Sequence, residues 1–193
     1  FSPTGGRMPR ILGLAKAPKH SHKTPWLREL KQFSINGNEV ALGTIGNASA
    51  AGGMFCEAIN ACGVVMAPML MSIWDDGYGI SVPNKYQMTK DNVGECLSGF
   101  AYDEKKEQGY KIYTVKGWDY EALMDTYQKA IKETREKHIP SIIHVIEVTQ
   151  PQGHSTSGSH ERYKSKERLQ WEVDYDCIEQ MKLWMVKNTA GRK

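Results

Sequence analysis

The sequence predicts an α/β fold: a doubly wound parallel sheet with helices on both faces, in a single domain over residues 1–193. Three observations predict it. Apolar runs of strand length alternate with helix-like segments in the order strand, helix, strand, loop, strand, helix, strand, helix, the order of a parallel sheet joined by crossovers. The run at 39–45, EVALGTI, alternates little and is mostly apolar, as a strand covered on both faces is. The segment DYEALMDTYQKAIKETREK, between two strand-like runs, is the clearest amphipathic helix of the chain.

The elements follow in order. Residues 7–17, RMPRILGLAKA, carry helical spacing at Ile11, Leu14 and Ala15. PWLRELKQF opens a short helix with Pro25 in its first turn. NGN at 36–38 is a turn, 39–45 the first strand, and about 53–65 a helix. Pro68 opens a second apolar strand, MLMSIW. In the loop DDGYGISVPNKYQ, Gly77 and Gly79 permit unusual backbone angles and Pro83 bars a continuing helix. YKIYTVKG is the third strand. Asp119 is placed to cap the helix that follows, whose apolar residues recur at Leu123, Met124, Tyr127 and Ile131. SIIHVIEV, from Ser141, is the fourth strand. The polar stretch TQPQGHSTSGSHERYKSKER has the length of a functional or disordered loop. One last helix carries Trp171, Ile178, Met181, Leu183 and Trp184, with the two tryptophans in the core or an interface.

Composition narrows the function. The net charge of +3 is small and the basic residues are scattered, so no nucleic-acid partner is expected. The longest apolar stretch, Val64 to Trp74, is too short to span a bilayer and contains Pro68, so no membrane segment is expected. The first ten residues form neither a signal peptide nor a clean element start, and the chain reads as a piece of a longer protein. The four cysteines form no CxxC pair; Cys56 and Cys62, in an apolar helical pattern, read as buried free thiols of a reducing, cytoplasmic setting.

Ligands of open parallel sheets bind outside the carboxyl ends of the strands. Three loops leave such ends here, at 46–53, 75–87 and 149–165. The first, GNASAAGG, is a turn of small residues before a helix, where backbone N–H groups suit a phosphate; Gly46, Asn47, Ala48 and Ser49 form it. The second opens with Asp75-Asp76-Gly77-Tyr78. Side-chain oxygens of Asn47 and Asp76, with a backbone carbonyl at Tyr78, are hard ligands that suit magnesium or calcium beside a phosphate.

These residues resemble the thiamine-diphosphate-dependent dehydrogenase component of 2-oxo acid dehydrogenase complexes, in its alpha chain or alpha half, with the branched-chain (2-oxoisovalerate) type nearest. That family has a Gly-Asp(or Glu)-Gly turn and, one strand later, an Asn-Asn pair; the acidic residue, the second Asn and a carbonyl two positions on hold the magnesium that grips the diphosphate. Here Asn47 stands for the acid and Asp76 for the second Asn, so two side chains still supply one negative charge. Ala48 stands where the family has glycine. FSPTGGRMPRILGLAKA resembles the family's SPLATQIPQAVGAA segment, which brings Ser2 and Thr4 to the cofactor; Gly6 and Arg7 replace the Thr and Gln that bind potassium in branched-chain enzymes. GYGISVP, which includes Tyr78 and Ile80, resembles the NGYAIS loop, and VKGWD a VDGND-type turn. QPQGHSTSGSHERYK resembles GHHSTSDDSSAYR: His154 matches the histidine facing the cofactor's reacting end, Gly158 and Ser159 stand where Asp-Asp occurs, and Tyr163-Lys164 match a Tyr-Arg pair. The match runs through nearly the whole chain in order.

The resemblance implies thiamine diphosphate and Mg2+ as cofactors. It implies decarboxylation of a 2-oxo acid with acyl transfer to lipoyl, and His154 as the catalytic residue of this half. It implies a beta chain or beta half that holds the pyrimidine, a lipoyl acyltransferase partner and an alpha2beta2-type assembly. The isolated chain is then expected to be inactive. Two other readings stand beside it: a non-catalytic cofactor-fold module that mediates assembly, supported by Asn47, Ala48, Gly158 and Ser159, and an acetoin dehydrogenase or transketolase-type half. More ordinary roles are expected elsewhere. His144 reads as a satisfied core histidine, His20 and His22 as a solvated loop pair, and Ser155 and Ser157 as loop hydrogen-bonding groups, although they look like sites that kinases modify in animal relatives.

Overall fold

The computed structural model describes residues 4–32, 34–154 and 160–189. A 3-10 turn at Thr4–Arg7 leads into α1 (Met8–Lys23), followed by α2 (Pro25–Arg28), β1 (Ala41–Gly46), α3 (Asn47–Ala50), α4 (Gly53–Val65) and β2 (Met69–Trp74). A small hairpin of β3 (Tyr78–Gly79) and β4 (Val82–Pro83) and short α5 (Val93–Cys96) precede β5 (Lys111–Lys116), α6 (Tyr120–Lys137), β6 (Ser141–Ile146), α7 (Lys166–Asp174) and α8 (Cys177–Thr189).

The four long strands form one parallel sheet in the order β1-β2-β6-β5. The central strands β2 and β6 are buried along five of their six residues. One face packs Ile59 and Phe55 of α4 and Met8 and Ala15 of α1 against Met69, Met71, Ile73 and Ile142. The other packs Ala130, with Leu123, Tyr127 and Ile131 of α6, against Leu70, Ile143 and Val145. Helices therefore cover both faces, and each fully buried Ile, Leu, Phe, Met or Val side chain contributes about 1.5–3 kcal/mol. The approach of α1 to β1 is close: a Cβ at Gly43 would lie 2.4 Å from Ile11 Cδ1.

The local signals act as their chemistry dictates. Asp119 accepts a hydrogen bond from the Ala122 N–H at 3.0 Å and starts α6. Met66 and His138, both left-handed, end α4 and α6.

Several expectations need correction. The first strand is covered on one face only: β1 is an edge strand, and Leu42 is 56% exposed. Leu14 and Met124 point outward, because the buried stripes run through Met8 and Ala15 in α1 and through Ala130 and Thr134 in α6. His20 and His22 belong to the last turn of α1, which continues through Pro18, rather than to a loop. The last helix is two helices that break at Tyr175 and Asp176, where Asp176 Oδ1 accepts the N–H groups of Ile178 and Glu179 and starts α8. All four cysteines are free, but Cys56 is exposed and only Cys62 is buried.

Candidate functional site

The register brings the site together. Gly46, the last residue of β1, pairs with Trp74, the last of β2. The chain therefore emerges at Asn47 and at Asp75 side by side, on the carboxyl edge of the sheet. Asn47 is buried at the start of α3, and its amide donates to the Tyr78 carbonyl at 3.0 Å and to Asn84 Oδ1 at 2.7 Å. Asp76 Oδ1 accepts the Tyr78 N–H at 3.0 Å. Asn47, Asp76 and the backbone of Tyr78 thus share one small volume.

Behind them lies a buried polar network. Asp75 Oδ1 accepts from the Gly77 N–H at 2.9 Å and from Asn84 Nδ2 at 3.0 Å, and Asp75 Oδ2 lies 2.8 Å from His144 Nε2. Burial opposes the Asp75 charge, but the bonds from His144, Gly77 and Asn84 outweigh it and hold the carboxyl below its ordinary range. Asp76 behaves oppositely. Burial pushes its carboxyl up, against the Tyr78 N–H bond and the nearby Lys164 charge, which pull it down.

A cationic brace completes this side. The Lys164 ammonium donates to both carboxylate oxygens of the fully buried Glu172, at 2.7 and 2.8 Å. Arg168 donates from Nε to Glu172 and from its terminal nitrogen to the Asp76 carbonyl, each at 2.8 Å. The Tyr78 and Tyr163 rings pack 5.6 Å apart beside Lys164. Two cations against one buried carboxylate leave one positive charge near Asp76.

Next to α3 is an open cleft of about 470 Å³, lined by Thr4, Gly5, Ala48, Ser49, Gly52 and Gly53 among others. The first turn of α4 faces it with Gly52 at the cap and no side-chain acceptor on its N–H groups. A Cβ at Gly46 or Gly53 would meet nothing within 4 Å, so the backbone is open to a ligand there. Ile80 lies in the hairpin turn, 58% exposed, at φ +59. His154 is exposed in the loop after β6. Ser2, Ser155, Ser157, Gly158 and Ser159 lie outside the described residues.

Of the residues singled out in the sequence, Asn47, Asp76 and Tyr78 lie together, and Thr4 lines the cleft with Ala48 and Ser49 of the small-residue turn. Sequence reading missed the parts played by Asn84, Arg168 and Glu172. Arg168 and Glu172 had a signal in their i,i+4 spacing. Asn84 had none, since its role depends on the fold of the 75–87 loop.

The dehydrogenase E1 component family matches residues 3–190. The chain belongs to that family. It is 29% identical over 130 residues to the 2-oxoisovalerate dehydrogenase subunit alpha 2, mitochondrial, of Arabidopsis thaliana. The aligned stretch covers 65% of this chain and 25% of that relative, so the chain spans about a quarter of the relative's length. The family is one of thiamine-diphosphate-dependent dehydrogenases, and the residues fit both ends of the diphosphate–cation group. The glycine-lined cleft and uncapped turn suit a diphosphate. Asp76, a carboxylate whose charge burial opposes, beside a carbonyl that keeps a second lone pair, suits a hard cation. Among the described residues no group of three or more His, Cys, Asp or Glu is gathered for a metal. Nor is any helix of the described residues long and apolar enough to cross a membrane.

Proposed function

We propose that this chain is the alpha half of a dehydrogenase that acts on a 2-oxo acid, of the branched-chain type, and that it holds the diphosphate–magnesium end of thiamine diphosphate. The observation that carries the reading is the β1–β2 register. It sets Asn47 beside Asp76 and Tyr78, next to the glycine-lined cleft.

In this reading the cleft takes the diphosphate, with Thr4, Ser49 and the first turn of α4 as donors and with Gly46 leading into the small-residue turn; the part of Ser2 rests on the family resemblance alone. Asn47, Asp76 and the Tyr78 carbonyl border the magnesium. Ile80 forms a wall for the cofactor, and Lys164 with Arg168 keeps the Asp76 turn in place. Thiamine diphosphate supplies the nucleophilic carbon and electron sink that decarboxylation of a 2-oxo acid requires. His154 holds or moves a proton at the reacting end. The pyrimidine end falls to a beta chain or beta half, and the acyl product to a lipoyl acyltransferase, in an alpha2beta2-type assembly placed in the cytoplasm.

The test is calorimetric titration of thiamine diphosphate into the protein assembled with its beta half, with magnesium and then with chelator. Magnesium-dependent binding is expected. Absence of binding with the beta half present would overturn the reading in favour of a non-catalytic assembly module. One observation favours that second reading: both N–H groups of the Asn47 amide brace the turn, through Tyr78 and Asn84, as a purely structural asparagine would. Substrate profiling of the assembled enzyme separates 2-oxo acid from acetoin-type or transketolase-type chemistry.

A further inference from the structure

A carboxylate presents oxygen whichever way it is turned. An amide does not: one end accepts or ligates, and the other only donates. An asparagine at position 47 therefore needs its nitrogen taken up elsewhere before its oxygen is offered to a cation. We propose that Asn84, anchored by Asp75, is the positioning residue that fixes the Asn47 amide with its nitrogen in the protein and its oxygen toward the ligand. The inference rests on the metal-binding reading above.

The hydrogen bonds run in one direction only. The Gly77 N–H can only donate, so Asp75 Oδ1, 2.9 Å away, is an acceptor. The group 3.0 Å from that oxygen must then be the donor end of Asn84. Asn84 consequently turns its oxygen to Asn47, and the atom 2.7 Å from it must be the Asn47 nitrogen. The second hydrogen of that nitrogen goes to the Tyr78 carbonyl at 3.0 Å. Both donors of Asn47 are then used. Reversing its amide would set oxygen against oxygen at Asn84 and at Tyr78 together.

Asn84 is itself held firmly. It is 8% exposed, its N–H donates to the Gly77 carbonyl at 3.0 Å, and its carbonyl accepts from Gln87 at 2.8 Å and Met88 at 2.9 Å. Asp75 is held in turn by His144 at 2.8 Å. The chain of contacts from His144 to Asn47 thus spans β6, the 75–87 loop and α3, and it ends on the residue that replaces an acid.

The experiment measures Mn2+ affinity by paramagnetic resonance, in the presence of thiamine diphosphate, on the protein assembled with its beta half. Asn84→Ala removes one of the two acceptors that fix the Asn47 nitrogen and leaves only the Tyr78 carbonyl to hold it, and the expected loss is about 10-fold or more, as for other residues that orient a metal ligand. The decisive arm is Asn47→Asp. In the wild-type background it weakens Mn2+ binding, because a carboxylate then faces Asn84 Oδ1. In the Asn84→Ala background it restores binding, because a carboxylate has no wrong end. A merely structural Asn84 gives no such rescue, and failure of the rescue with both variants folded overturns the proposal.

A second readout works without any metal. In the metal-free protein, the Asn47 side-chain N–H resonances are expected to exchange slowly with solvent, and in Asn84→Ala rapidly. Equal exchange rates overturn the proposal. Wild-type protein that binds no Mn2+ overturns the metal-binding reading instead, and the exchange measurement still decides the role of Asn84.

Discussion

His144, in the middle of a buried strand, lies with Nε2 2.8 Å from Oδ2 of Asp75, the first residue beyond the end of the neighbouring strand. Both side chains are almost wholly shielded from water, at 1% and 9% exposure. A buried carboxylate is tolerated when its lone pairs are taken, and here His144, Gly77 and Asn84 take them. Replacing His144 by leucine keeps the apolar bulk and leaves Oδ2 without its partner. The expected cost is about 3 kcal/mol in urea-induced unfolding. A cost under about 1 kcal/mol would mean that the other bonds suffice for Asp75. The Asp75 contribution also has a pH signature. Its folded pKa is depressed, so its stabilisation is present above the ordinary aspartate value of about 3.9 and is lost as the pH falls through the depressed value.

Asp76 predicts the opposite sign. Burial raises its folded pKa, so over a window above the ordinary aspartate value the folded state keeps a proton that the unfolded state has released. Stability then falls as the pH rises through that window. Asp76→Asn removes the effect. Without divalent cation the variant is expected to be more stable than wild type at pH 7, by about 1 kcal/mol, and equal to it near pH 4. It should also lose cation affinity. Urea unfolding at the two pH values measures the first, and metal titration the second. A variant less stable than wild type at pH 7 would show that Lys164 already compensates the charge.

Much of this was legible beforehand, for a physical reason. Strand and helix patterns are local, so the apolar runs at 69–74 and 141–146 and the cap at Asp119 could be read directly. Strand order is not local. That β6 lies between β2 and β5 depends on packing across the whole sheet, and so does the meeting of His144 with Asp75. The edge position of β1 leaves Leu42 exposed although the run around it has the apolar composition of a doubly covered strand. The turn chemistry of Asn47 and Asp76 was visible as residue type and spacing. The direction of each amide was not, because it is set by Asn84 from another part of the loop.

The two turns also fit each other in size. A Cβ placed on Gly79 would lie 2.7 Å from Ala48 Cβ, and 2.4 Å from Gln87 Oε1. The related NGYAIS loop carries alanine at the Gly79 position and the related turn carries glycine at the Ala48 position, so one methyl group has changed sides. Gly79→Ala alone is expected to cost about 1–3 kcal/mol by overpacking. Adding Ala48→Gly should recover at least half of that, since Gln87 is a flexible side chain able to move aside. A double-mutant cycle in urea gives the coupling directly. Additive effects would mean that the clash with Gln87 dominates and the methyl exchange is incidental.

Ile80 combines two liabilities. It is β-branched with φ +59, in the left-handed region where such residues are rarely found, and it leaves 58% of its surface exposed. The strain is about 1–2 kcal/mol, and little burial offsets it within this chain. Glycine would adopt the angle freely but would lose about 0.5–1 kcal/mol of unfolded-chain entropy. The difference favours Ile80→Gly by about 0.5–1 kcal/mol, measured as an increase in the urea midpoint with an unchanged slope. If the exposed side chain is a wall for the cofactor, the same variant should bind thiamine diphosphate less tightly, by about 10-fold for one lost aliphatic contact. Greater stability with unchanged affinity would separate the strain at this turn from any part in cofactor binding. Lower stability would mean that the Ile80 side chain packs more favourably in solution than its exposure implies.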